Sequence, residues 1–370
     1  MSKVLKDPHL FTPIKIRECT FKNRMGVPPM VLFEGKEGVP QDIHLVQYGR
    51  YALDGYGFII YESTAIESIG RISPGCCGIW SDDFIPKYKR ITDFVHQQDC
   101  KIGIQLAHAG RKGSSALPSK AVRKGGLLPS EGGWEVVGPT SEKYQPDWSN
   151  TRELTVAELA QYPKKFADCA TRAIKCGFDF IEVHCAHGYL LNQFLSPLTN
   201  KRTDGYGGSL DNRMKLIKEV ITEVRKVMPN NMPLFVRLSC EDLAKGGHTM
   251  KDTIDIVKAI KPLGVDLINC SSAGILPEQV IPDRPHFQWD YAKQIKEACN
   301  IMTACVGQIN TTEEANGIIE KKEADVVLIG RGALRNSFNP RRAAVDIGAP
   351  IPAYFEGISW ATAIPKHSKY

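Results

Sequence analysis

Eight short apolar runs recur along the chain, alternating with helical patterns almost to its end, and this repeat constrains the fold more than any single motif. They are RMGVPPM (24–30), GFIIYEST (57–64), KIGIQLAH (101–108), FDFIEVHC (178–185), PLFVRLSC (233–240), VDLINCSS (265–272), IMTACVGQI (301–309) and ADVVLIGRG (324–332). Each is rich in Val, Ile and Phe and short enough for a strand buried on both faces. Amphipathic stretches lie between them, for example 155–176 and 211–228. In the second, Met214, Ile217, Ile221, Val224 and Met228 recur at helical spacing, which assigns them to the core. Eight β–α repeats predict a (β/α)8 TIM barrel within the α/β class, preceded by an N-terminal segment. No GxGxxG follows the first run, which counts against a Rossmann domain. The pattern breaks once, after the third strand. There, about residues 109–154 form a Pro/Gly-rich insertion, expected to cap the barrel. With a C-terminal tail at about 348–370, the whole of 1–370 reads as one domain.

Composition narrows the function classes. A net charge of +6 is spread among acids, and basic runs such as EKKEAD (320–325) are interrupted by carboxylates, so no nucleic-acid partner is expected. No apolar run approaches the roughly 18 residues of a membrane span, and the N-terminus lacks the pattern of a secretory signal. The expected location is the cytoplasm. Eleven cysteines without a CxxC argue against a disulfide framework, a zinc ribbon or a clustered iron–sulfur site; reduced, buried thiols are expected.

In such a barrel the chemistry gathers at the C-terminal ends of the strands. Those ends hold Pro28, Pro29, Met30 and Val31, then Ser63, Gln105, His184 and His187, Arg237, Ser271, Gly307, Gly330 and Arg331. No close carboxylate pair and no lysine appears among them, which leaves glycosidase and Schiff-base chemistry poorly supplied. Gly307 and Gly330 allow backbone N–H groups to approach a phosphate with Arg331 adding charge, or they are simply tight turns. Arg237 lies inside an apolar run, where it needs an ion-pair partner or an electron-rich cofactor. Gln105 offers both a donor and an acceptor, as the edge of a flavin or purine requires, or it is a satisfied core amide. His108 and Arg111 follow in the same loop as candidates to pin the insertion. The stretch HCAHGY (184–189) admits three readings. It is half of a metal site without a third ligand, a pair of structural histidines, or two imidazoles polarising one carbonyl oxygen with Tyr189 as a proton source. The three residues together favour the last, and no metal is expected.

On these residues the sequence resembles the Old Yellow Enzyme family of FMN-dependent ene-reductases, from about Leu10 to Ala344. The stretches that carry the likeness are GIQLAHAGRKG, the continuous 182–213, FVRLS and IGRGAL. The resemblance implies non-covalent FMN, with residues 28–31 along the ring, Ser63 and Gln105 on its pyrimidine side and Arg237 near N1 and O2. Gly307, Gly330 and Arg331 would hold the phosphate. It implies a ping-pong reaction in which NADPH or NADH reduces FMN and leaves. An enone- or enal-type substrate then binds with its oxygen on His184 and His187, and Tyr189 supplies a proton. Paired histidines place the chain nearer the bacterial branch than the yeast-type branch with its His/Asn pair.

Two departures from that branch stand out. Val31 and Phe33 occupy places where the branch carries Cys and Tyr, so a more negative flavin potential and a drier substrate pocket are expected. The C-terminal AYFEGISW (353–360) lacks the branch's Arg, which argues against a site shared between subunits, although a dimer or tetramer is still expected. A 2,4-dienoyl-CoA reductase-like barrel and a flavin-binding protein without turnover are the alternatives.

Overall fold

A computed structural model describes residues 8–117, 125–279, 282 and 286–349. Its first strands seal one end of the molecule. Ile14–Ile16 and Cys19–Phe21 pair antiparallel around a turn in which Arg17 takes a left-handed φ of 51°. Their alternate side chains are buried with Phe58, Phe180, Phe235, Leu267 and Val326. The Phe21 ring stands 4.6 Å from that of Phe58 and 5.6 Å from that of Phe180. Burying each such aromatic side chain contributes roughly 1.5–3 kcal/mol. This hairpin plug lies in the N-terminal segment that precedes the eight runs.

Above the plug, eight parallel strands close into a barrel in chain order. They are β1 (Met25–Val27), β2 (Phe58–Ala65), β3 (Lys101–Ala107), β4 (Phe180–Cys185), β5 (Leu234–Ser239), β6 (Leu267–Ser271), β7 (Met302–Val306) and β8 (Val326–Leu328). Strand β8 pairs with β1 to complete the circle. Every apolar run supplies one strand, so the expected (β/α)8 TIM barrel is what forms. The runs overstate β1 and β8. Pro28 and Pro29 have no N–H to continue a ladder, and at Gly330 the chain turns into the short helix Arg331–Leu334.

The helical stretches are interrupted too. The stretch 155–176 forms Val156–Leu159 and Tyr162–Lys175, and 211–228 forms Leu210–Arg213 and Lys215–Val227. Met214, Ile217, Ile221, Val224 and Met228 are buried as their spacing required. All eleven cysteines are unpaired and buried.

The insertion after β3 carries two short strands, Val136–Gly138 and Thr151–Glu153, which pair with each other. Residues 118–124 of the insertion, and AYFEGISW at 353–360 with the rest of 350–370, lie outside the described residues. No helix among the described residues is long and apolar enough to cross a membrane.

Candidate active site

One irregularity decides what the barrel mouth contains. Along β2 and β3 the register runs Ile60 to Gly103 and Tyr61 to Ile104, then skips Glu62 and resumes with Ser63 opposite Gln105. A bulge of this kind adds one residue and re-aims the side chains that follow it. Glu62 packs against the helix Asp42–Leu53. Its Oε1 lies 3.2 Å from His44 Nε2, and its Oε2 accepts from the Leu32 N–H at 3.0 Å. The carboxylate thereby ties down the loop that carries Pro28, Pro29, Met30, Val31 and Phe33. Cys77 Sγ completes this buried group at 3.3 Å from His44 Nε2. The Gln41 N–H donates to His44 Nδ1, which places the ring proton on Nε2, directed at its neighbours.

Inside the barrel a polar layer replaces the phenylalanines. Gln105 Nε2 donates to Glu182 Oε1 at 2.8 Å, and Asn269 Nδ2 donates to Glu182 Oε2 at 2.8 Å. Arg237 pairs in register with both His184 and Asn269. Its Nε is buried without a hydrogen-bond partner. Burial pulls the guanidinium below its ordinary pKa, while Glu182 and Tyr189 oppose that shift. An orphaned buried donor is costly, about 1–3 kcal/mol, unless something else comes to meet it.

At the end of β4 the two histidines and the tyrosine cluster. The rings of His184 and His187 are 5.2 Å apart and nearly perpendicular, and His184 stands 5.0 Å from Tyr189. His184 Nδ1 accepts from the Ala186 N–H at 3.2 Å, which leaves Nε2 as the donor. His187 Nε2 meets Ser271 Oγ at 2.7 Å, so its Nδ1 is the nitrogen left for a ligand. Burial, then Arg237, pushes both imidazoles well below the ordinary histidine pKa, and burial pushes the Tyr189 phenol up. Near neutral pH all three are therefore uncharged. His187 itself holds a left-handed φ of 61°, followed by Gly188 at 71°. A Cβ on Gly188 would come within 2.0 Å of the Gly274 carbonyl oxygen, so only glycine allows the two loops to touch there.

A residue that strand ends alone did not reveal holds this turn. Lys112 Nζ donates to the carbonyls of His187 at 2.8 Å and Gly274 at 2.9 Å, and lies 5.3 Å from the Tyr189 ring centroid. Burial, with Arg111 beside it, lowers its pKa to about 8. His108 and Arg111 do pin the insertion. His108 Nε2 meets Glu67 at 3.1 Å, and Arg111 Nη2 donates to the Ile275 carbonyl at 3.1 Å.

The other expected residues are spread around the rim. A Cβ on Gly330 would sit 3.6 Å from both Met30 Sδ and Pro28 Cγ, which joins the two ends of the barrel closure. Gly307 has φ 113° and faces Gln288, while Arg331 is exposed at the start of its helix. Val31 and Phe33 are half-buried on the first loop, and among the described residues Phe33 makes no ring contact with the His184–His187–Tyr189 cluster. It takes a φ of 59° where its carbonyl crowds Gly75.

Comparison with known proteins gives a consistent answer. The family model for NADH:flavin oxidoreductase / NADH oxidase matches residues 9–348. An NADPH dehydrogenase of Halalkalibacterium halodurans is 39% identical over 345 residues, covering 92% of this chain and 96% of that protein. An Old Yellow Enzyme homologue from Zymomonas mobilis has a TM-score of 0.75 at 25% identity, covering 97% of this chain and 98% of that one. A 2-naphthoyl-CoA reductase has a TM-score of 0.82 at 26% identity over 92% of this chain, which spans only 52% of that larger protein. The family's cofactor is FMN, with NAD(P)H as electron donor. The mouth of this barrel fits it, because the unpaired Arg237 Nε supplies a buried cationic donor for an electron-rich ring. On its sequence, its closed barrel and that waiting donor, the chain belongs to the NADH:flavin oxidoreductase / NADH oxidase family, the Old Yellow Enzyme family of flavin oxidoreductases.

Proposed function

We propose that the chain is an ene-reductase, which reduces the C=C bond of α,β-unsaturated carbonyl compounds with electrons from NAD(P)H. The observation that carries the reading is the protonation pattern of the cluster at the end of β4. His184 Nε2–H is a donor because its Nδ1 is occupied, and burial keeps both imidazoles neutral. Neutral donors stabilise negative charge as it develops on a carbonyl oxygen, without binding anions indiscriminately. FMN, when bound, would supply the hydride chemistry, with NAD(P)H as the electron source. His184 and His187 hold the substrate oxygen, and Tyr189 keeps its phenolic proton available for the α-carbon. Residues 28–31, Ser63, Gln105 and Arg237 would line the ring, while Gly307, Gly330 and Arg331 would hold the phosphate. Phe33, on the same loop as residues 28–31, would offer the substrate an apolar surface.

The test separates two half-reactions. The yellow holoenzyme is reduced anaerobically with NADPH or NADH and then mixed with cyclohexenone. Wild type reoxidises rapidly, and His184→Ala with His187→Ala slows that step by about a hundredfold or more while flavin reduction changes only a few-fold. Wild type that stays reduced in the presence of enones would refute the reading. The likeness to a 2-naphthoyl-CoA reductase favours a second reading, in which the same two donors hold a thioester carbonyl. An enoyl-CoA that reoxidises the flavin much faster than cyclohexenone would select it.

A further inference from the structure

The catalytic reading leaves the buried carboxyl group of Glu182 without a task; burial raises its pKa, while Arg237 and the amides of Asn269 and Gln105 oppose that shift and favour the ionised form. Glu182 sits in the middle of β4 and is wholly buried, two residues before His184. Both carboxylate oxygens are taken by amide N–H groups, one from Gln105 and one from Asn269, each at 2.8 Å. A scaffold ion pair would close on itself. This one does not, because the carboxylate is satisfied by amides while the Arg237 Nε it attracts stays unpaired. The same arrangement fixes both amides. Gln105 and Asn269 each direct an N–H at Glu182, so each keeps its carbonyl oxygen as the remaining acceptor, and that of Asn269 is buried without a partner.

We propose that Glu182 is a positioning residue that sets the charge balance of the FMN site. It holds a counter-charge within reach of Arg237, and it fixes the orientation of Gln105 and Asn269, so that their carbonyl oxygens remain as the free acceptors of this layer. A negative charge in this low-dielectric layer opposes the accumulation of electron density on a reduced ring, and Arg237 favours it. The ratio of the two therefore helps set the redox potential. Binding of FMN alone would not require the pair to be held apart.

The inference rests on FMN occupancy and not on the alkene chemistry, so it is tested on purified holoenzyme without any alkene. The readout is the flavin reduction potential by spectroelectrochemistry, beside the FMN dissociation constant and Tm. Glu182→Gln is expected to favour the reduced over the oxidised cofactor by roughly tenfold, about 30 mV upward for a two-electron couple. Glu182→Asp keeps the charge and is expected to return most of the way to wild type. A potential that stays put or falls in Glu182→Gln, while Tm or FMN affinity drops, would make Glu182 a scaffold residue only. If Glu182→Gln yields no folded holoenzyme, Asn269→Leu serves instead. Loss of one donor weakens the ionised carboxylate, so the potential is expected to rise by less, and an unchanged value overturns the proposal.

Discussion

Phe180 and Glu182 are two residues apart on one strand, point to the same side, and belong to different kinds of interior. Around Phe180 the barrel floor is filled by Phe21, Phe58 and Phe235, whose rings lie within contact of one another. One step higher, Glu182, Gln105, Asn269 and Arg237 form a layer in which polar atoms remain unpaired. The floor satisfies itself, while the layer above is finished only by what binds there. The boundary between holding the fold together and doing chemistry is thus a single turn of the pleat, with no separate domain needed to draw it.

Substitutions on either side of that boundary should behave differently. Phe180→Ala is expected to cost about 3–5 kcal/mol of stability, read as a lower Tm, because the rings around it cannot collapse into the cavity. The rate of flavin reduction per bound FMN should hardly change. A large loss of rate at unchanged Tm would erase the division between floor and mouth.

Lys112 tests the mouth from the other direction. Its pKa is held at about 8, below the ordinary lysine value of 10.5. Between those values the unfolded chain binds a proton that the folded chain has released, so this group makes stability rise with pH across that window. The contribution is at most about 3 kcal/mol. Lys112→Met should abolish that part of the pH dependence in denaturant titrations. It should also loosen the His187 turn, slowing alkene reduction more than flavin reduction. A Lys112→Met chain with an unaltered stability profile between pH 8 and 10 would show that the lysine is not the strained charge its surroundings suggest.

The smallest effect belongs to the rim. Val31→Cys introduces a weak S–H donor, worth about 0.5–1 kcal/mol, and should raise the flavin potential by a two- to fivefold change in the redox equilibrium. Identical potentials in the two proteins would remove the argument that Val31 makes this flavin harder to reduce.

The strands were legible because a buried parallel strand needs a continuous apolar run, and each of the eight is present. His184, His187 and Tyr189 were legible because two imidazoles and a phenol at a strand end are hard to explain as packing. Glu62 and Glu182 were not, since a carboxylate inside IIYEST or IEVHC shows neither the bulge that turns the first outward nor the amides that receive the second. Lys112 finds its partners at His187 and Gly274, 75 and 162 residues away in sequence, where no local pattern reports them. The N-terminal plug was written in the alternation of IKIRECTF, which the length of the barrel runs overshadowed.

That plug has a kinetic corollary. With the far end closed by Phe21 and its neighbours, the proposed reaction would bring the nicotinamide and the alkene to the same mouth, at the C-terminal ends of the strands. Each visitor is then a rival of the other for the same threshold. An excess of either should slow turnover by queueing.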